Sequence, residues 1–230
     1  MSFWGGTSEN SSNINYSSNS TSYGNKGSSL AGGKNKIVAQ VGIIVERLRN
    51  SHSLDEVQEA LDGLLDLSST NPVEVGEGSF RIVVDQLNSL VESNMSDSTG
   101  QIIQSLLDII YAVCRISKNS DDYQKQAALQ RSDTFLKTVD NVSNVLNLLE
   151  RAEMWVKLNG IQLLNTLHEN RKEKLEDTIL RCSAGMMRLM DVLTSENVHE
   201  KVRNDMLLLL QRLTRENDPS KEFVAFEEGF

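Results

Sequence analysis

The sequence predicts an all-α chain built as a stack of repeated helical units. Three observations predict it. From Ile37 to Leu213 the apolar residues recur at helical spacing, and no segment sustains period-two alternation. The chain has only 2 prolines and 5% aromatics, and is rich in Leu, Ile, Val, Glu and Lys, a composition that favours helix over sheet. Alternate helices also repeat. Val57, Ala60, Leu61, Leu64 and Leu67 match Ile103, Leu106, Leu107, Ile110 and Val113 at an offset of 46 residues, and Val156, Ile161, Leu164 and Leu167 match Val202, Leu207, Leu210 and Leu213 at the same offset. A period of forty-odd residues per helical unit is that of armadillo and HEAT arrays, in which a helix pair hides its apolar face only by stacking on the next pair. The expected architecture is therefore a right-handed superhelical solenoid of about four repeats.

Residues 1–35 are Ser-, Asn- and Gly-rich and are expected to be disordered, because they bury too little to offset the entropy of ordering. Phe3 and Trp4 are the apolar exception. The domain proper is expected over residues 36–230 and to continue beyond them. Eight helical faces follow in order: Ile37, Val41, Ile44 and Leu48; Val57, Ala60, Leu61 and Leu64; Phe80, Val83, Leu87 and Leu90; Ile103, Leu106, Ile110 and Val113; Phe135, Val139, Val142 and Leu149; Leu158, Ile161, Leu164 and Leu167; Ile179, Met186, Leu189 and Leu193; and Val202, Met206, Leu210 and Leu213. Helix-end chemistry separates them. Ser53 stands before Leu54-Asp55-Glu56 as an N-cap with acids in the first turn, Asn71-Pro72 cannot continue a helix, and Ser98 or Thr99 can cap the next one. Ser195-Glu196-Asn197 and Asp218-Pro219-Ser220 are further breaks. The units read as 37–67, 76–116, 134–168 and 174–214. The step between the second and third is longer by seven residues, and the polar stretch Lys118 to Asp133 reads as a loop insertion. The run Met206 to Leu210 reads as an inner helix packed on several sides. Phe223, Val224, Phe226 and Phe230 are no polar cap for a solenoid, so the array is expected to continue or to pair its open end.

Charge and motifs exclude several function classes. Net charge is −9, and the first 35 residues hold one acid against two bases, so the body is the acidic part. No Lys/Arg cluster meets a phosphate backbone, and no nucleic-acid partner is expected. Cys114 and Cys182 fall in apolar stretches and read as buried thiols. The chain lacks an apolar secretory leader, so the sequons at Asn10, Asn15, Asn19, Asn94 and Asn141 carry no weight. His52, His168 and His199 read as solvated. His199-Glu200 is followed by Arg203 where a zinc-protease helix needs its second His, and Cys and His never cluster at metal spacing. Gly32-Gly33-Lys34 is followed by Asn35, without the Ser or Thr of a phosphate loop. No catalytic, metal or cofactor site is nominated, and the chain is not expected to be an enzyme. Trp155 and Asn159 lie four apart on one helix face. Armadillo import adaptors repeat such a pair along a groove to clamp basic peptides, but here it occurs once, with Lys201 and Asp205, and Ile102 and Leu106, at the equivalent positions. Asn159, Arg203 and Asp205, taken as exposed positions of inner helices, are the candidate partner-binding residues.

One stretch carries a family resemblance. Residues 202–215, Val-Arg-Asn-Asp-Met-Leu-Leu-Leu-Leu-Gln-Arg-Leu-Thr-Arg, followed by Phe223-Val224-Ala225-Phe226-Glu227, resemble the head of the general vesicular transport factor family. Glu74-Val75-Gly76 and residues 156–164 agree more loosely, with Leu158-Asn159 standing where the family carries Trp-Pro, and the polar insertion falls where the family also has one. The resemblance implies an armadillo-like head of a homodimeric coiled-coil tether. Such a protein sits peripherally on Golgi and vesicle membranes, acts between endoplasmic reticulum and Golgi, and engages a small Rab GTPase, golgins and SNAREs. Several of those contacts belong to the coiled coil and tail, and this chain has no sustained heptads. A generic armadillo adaptor of nuclear transport or the cytoskeleton, holding peptides in its groove, is the alternative.

Overall fold

Side chains satisfy backbone groups that a helix end leaves orphaned at the helix starts that follow Ser53, Asp121 and His199. The computed structural model describes residues 27–93, 99–151, 153–195 and 198–215. Among these, nine helices follow in order: α1 (Gly27–Asn50), α2 (Leu54–Thr70), α3 (Pro72–Glu92), α4 (Gly100–Cys114), α5 (Asp122–Leu136), α6 (Val139–Arg151), α7 (Met154–Arg181), α8 (Gly185–Thr194) and α9 (Glu200–Thr214). Ser53 Oγ accepts the Glu56 N–H at 3.2 Å, and the Glu56 carboxylate accepts the His52 N–H at 2.7 Å. That backbone donor holds the Glu56 carboxyl below its usual range. Pro72 opens α3, where its missing N–H costs nothing. Thr99 occupies the N-cap position of α4.

The helices form two layers. In the front layer α2 packs on α4, α4 on α7 and α7 on α9; in the back layer α1 packs on α3, α3 on α6 and α6 on α8. This is the armadillo-like solenoid that the period implies. Polar contacts mark the same period: Gln58 donates to Ser105 Oγ at 2.9 Å across 47 residues, and Arg212 donates to Asn165 Oδ1 at 3.1 Å across 47. The longer middle step appears in the back layer, where Asn88 donates to Asn141 Oδ1 at 2.8 Å and accepts from Asn144 at 2.9 Å, across 53 and 56 residues. Asn141 is buried in this triad and also donates to the Phe135 carbonyl at 2.9 Å.

The extra residues are not a loop. Lys118 to Asp133 was expected to be one, but α5 fills most of it. Asp121 and Gln124 form a reciprocal capping box, with bonds of 2.8 and 3.0 Å, which nucleates the helix despite its polarity. Its buried face is Ala128, Arg131, Ser132, Phe135 and Leu136. Arg131 donates to the Val73 carbonyl at 2.6 Å and to the Val113 carbonyl at 3.4 Å, tying α5 to the start of α3 and the end of α4. A buried guanidinium is tolerated only when hydrogen-bonded, and two helix-end carbonyls do that here. Gly76 makes the room: a Cβ there would collide with the Arg131 Nε and Cζ.

Two expected helices are each divided. Phe135 lies in the last turn of α5 and Val139 begins α6; Ile179 lies in α7 and Met186 in α8, with Ala184 between them at φ 55°. Helix α7 itself breaks at Arg171 (φ −148°, ψ 63°). The third and fourth units therefore have three helices each: α5, α6 and the first part of α7, then the rest of α7 with α8 and α9. The lead also differs. Residues 27–35 are helical, because a helix anchored by buried Val41, Val45 and Leu48 extends at little cost. Residues 1–26, with Phe3 and Trp4, lie outside the described residues, as do Asn94, Ser98, the Pro219 break and residues 223–230. In α9, Met206, Leu209 and Leu210 are buried, but Leu207 and Leu208 are 49% and 55% exposed, so two of the five residues read as belonging to a helix packed on several sides face solvent.

The break in α7 is pinned from both sides. Asn170 donates to the Cys114 carbonyl at 2.7 Å and to Ser132 Oγ at 2.8 Å, while Arg171 donates to Asp133 Oδ2 at 2.9 Å and Lys174 pairs with the same carboxylate. Arg171 chiefly holds the Asp133 carboxyl below its usual range. On the other side His168 Nε2 lies 3.3 Å from Glu176 Oε1. His168 is buried, not solvated as expected, because it faces the seam where α7 turns.

Two outcomes follow from this packing. Gly76→Ala should lower the unfolding free energy by about 1–3 kcal/mol through overpacking against Arg131, whereas Gly42→Ala, with nothing near its Cβ, should raise it by about 0.5–1 kcal/mol; urea melts of both variants check this. Burial pushes the His168 pKa below its ordinary 6.5, so the folded state takes up that proton less readily than the unfolded chain. Stability is then full above 6.5 and declines as pH falls below it. The urea midpoint should drop between about pH 7.5 and about pH 5.5, and His168→Gln should flatten that drop.

Candidate interaction surface

The front layer carries the residues expected to meet a partner. Trp155 is the second residue of α7 and is 54% exposed, the large aromatic side chain that α7 gives to solvent. Asn159, one turn on, was expected to be exposed and is not. Only 9% of it is accessible, and its Nδ2 donates to Asp108 Oδ1 of α4 at 2.7 Å. The reason is Asp108. Burial pushes its carboxyl above the usual carboxylate range, and Asn159 supplies the donor that partly offsets this. Asn159 is a strut between two front-layer helices, so the pair with Trp155 does not form a rung with a free amide. Arg203 on α9 is exposed and Asp205 half-buried. Both belong to the front layer, and the structure brings neither into hydrogen-bonding contact with Asn159.

The ends of α2 and α4 and the start of α5 enclose an open groove of about 610 Å³, whose lining includes Asp66, Asp108, Tyr111, Arg115 and Arg131. The Arg115 guanidinium sits 5.9 Å from the centre of the Tyr111 ring. Arg131 is turned to the Val73 and Val113 carbonyls, so the Asp108 carboxylate has an amide partner and no cation among the described residues. Nothing in the sequence pointed to this groove. Asp108 is a single polar position between Leu107 and Ile109, and Arg131 lies in the stretch read as a loop.

Among the described residues no three His, Cys, Asp or Glu are placed to hold a metal ion. Cys114 is buried and its thiol is pushed up to about 12, which leaves it protonated and unreactive. No described helix is long and apolar enough to cross a membrane.

No family model matches the chain. Known proteins do. Over 210 residues, 89% of its length, it is 30% identical to general vesicular transport factor p115 of both Bos taurus and Homo sapiens. The chain is a homologue of the general vesicular transport factors. It spans about one fifth, 21%, of the length of those curated relatives. Golgin candidate 6 of Arabidopsis thaliana is 28% identical over 191 residues, 81% of this chain and 20% of that protein. The crystal structure of Uso1-2 superposes with a TM-score of 0.73 at 16% identity, covering 84% of this chain and 31% of that one, so the two share a fold. The resemblance read in residues 202–215 to the transport-factor head is thus supported across nearly the whole chain.

The different roles of the two α7 residues are separable. Asn159→Ala should cost about 1 kcal/mol in unfolding free energy, since it strands the Asp108 carboxylate, while Trp155→Ala should stay within about 0.5 kcal/mol of the parent; thermal melts at neutral pH compare them.

Proposed function

We propose that this chain is the protein-interaction head of a vesicle tethering factor, acting in endoplasmic-reticulum-to-Golgi and intra-Golgi transport to dock vesicles before fusion. The observation that carries the reading is the match of 89% of the chain, at 30% identity, to one part of p115. The two-layer array supports it: a stacked solenoid presents a long, preorganised face, and binding to such a face loses little ordering entropy. The head works by adhesion and not by catalysis. In the full-length homodimer two copies act together, so weak contacts made by each head combine into firm capture. A small Rab GTPase, golgins and SNAREs are the partners, some of them engaged by regions outside this chain, and the protein acts peripherally at Golgi and vesicle membranes from the cytoplasmic side.

A capture experiment tests the reading. Beads carrying the folded chain should retain transport vesicles released from endoplasmic-reticulum membranes, and beads carrying the heat-unfolded chain should not. Equal retention on both would overturn the proposal.

A further inference from the structure

Helix α1 is apolar on two sides, and the described fold uses one of them. Val41, Val45 and Leu48 are buried where α1 packs on α2 and α3. On the far side Ala39, Gly42, Ile43, Glu46, Arg47 and Asn50 line a shallow open recess, and every lining residue comes from α1. Their spacings of three and one set them on one helix face. Ile43 is 64% exposed, more than any other large apolar side chain among the described residues, and Val38, one turn before Gly42, is 51% exposed. A Cβ on Gly42 would meet nothing within 4 Å, so the recess is open at its middle. The next back-layer helix differs, since the exposed positions of α3 include Arg81, Asp85 and Ser89.

The size of the recess selects its occupant. The span from Ala39 to Asn50 is about 16 Å long and about 10 Å wide, on the order of 160 Å². A stable interface takes roughly 800 Å² from each partner, so a second copy or a separate protein gains little here. One or two aromatic side chains suffice, because each buries about 150–250 Å². The chain carries such a pair at a matching distance. Trp4 precedes Gly27, the first residue of α1, by 23 positions, and the residues between are rich in Ser, Asn and Gly. A linker of that length and composition has a root-mean-square span of about 26 Å. Ala39 and Ile43 lie about 18 and about 24 Å along α1 from Gly27. Effective concentration is greatest when linker and span agree, and it reaches the millimolar range, so a contact too weak to hold a free partner is held when tethered. Tyr23 is too near, since four residues reach at most about 14 Å.

We propose that Phe3 and Trp4 dock on this face of α1 in the same chain, covering Ala39, Gly42 and Ile43. Arg47 favours an aromatic occupant. Its guanidinium, 3.5 Å from Glu59 with both side chains exposed, stands at the recess and offers a cation to a ring face. The contact closes from within the chain the side of α1 that no described helix covers. Because tethering holds it, a partner that binds Phe3 and Trp4 more firmly lifts the segment and uncovers α1. The inference is independent of the vesicle-tethering reading.

The test reads Trp4 itself. The chain has 2 tryptophans, Trp4 and Trp155, so Trp155→Phe leaves Trp4 as the one reporter in the whole protein. Acrylamide should quench it at least about twofold less steeply than it quenches a free peptide of residues 1–26, the factor for a tethered contact that is half formed or more. In that background Ile43→Asp and, separately, Ala39→Asp should restore the quenching of the peptide. Leu208→Asp, which puts the same charge at a comparably exposed apolar site on α9, should leave Trp4 protected. Circular dichroism melts establish that the variants fold. Dilution from about 50 µM to about 1 µM should not change the protection, because a contact within one chain does not depend on concentration. Quenching in the parent equal to that of the peptide, no response to either α1 variant, or an equal response to Leu208→Asp would overturn the docking. So would protection that vanishes on dilution, which places Trp4 on a second copy. Protection that arises only with phosphatidylcholine–phosphatidylserine vesicles would overturn it too, and would assign the pair to a membrane surface.

Discussion

A helix pair in this molecule cannot close its own apolar surface, and α4 shows what that constraint imposes. Nine of its 15 residues are buried, and they spread over more than half of its circumference: Leu107 and Ile109 point nearly opposite ways, with Ile103, Leu106 and Ile110 between them. Such a helix is stable only with neighbours on each of those sides. It has them in α2, α3, α5 and α7. Each buried leucine or isoleucine is worth roughly 1.5–3 kcal/mol relative to exposure, so losing one neighbour forfeits far more than any polar contact in the array supplies. Stacking is therefore obligatory, and the polar bridges between layers set register on a frame that apolar burial has already fixed.

That division explains what could be read in the sequence. Periodicity reports apolar burial, and it located α2, α3, α4 and the front-layer parts of α7 and α9. The 46-residue offset reports stacking, and the Gln58–Ser105 and Asn165–Arg212 bonds repeat it nearly to the residue. What escaped was held by polar groups. The buried side of α5 includes Ala128, Arg131 and Ser132, which give no apolar period, so a helix looked like a loop. The break at Arg171 has neither proline nor glycine beside it; it is made by Asn170, Arg171 and Lys174 reaching α4 and α5, contacts that exist only after folding. Asn159 was misplaced for the same reason, since its burial follows from Asp108 lying opposite, 51 residues earlier.

The candidate surface was legible only in part. Helical spacing put Trp155 and Asn159 on one helix face, but it could not tell the exposed residue from the buried one.

The placement of α5 has a mechanical consequence. A simple solenoid shares load only between adjacent units, and tension along it can peel one unit from the next. Here one helix reaches across that boundary: Arg131 grips the backbone of both α3 and α4, and Ser132 and Asp133 receive the Asn170–Lys174 segment of α7. α5 acts as a cross-brace. A pull along the layers must strain both unit interfaces together at this point.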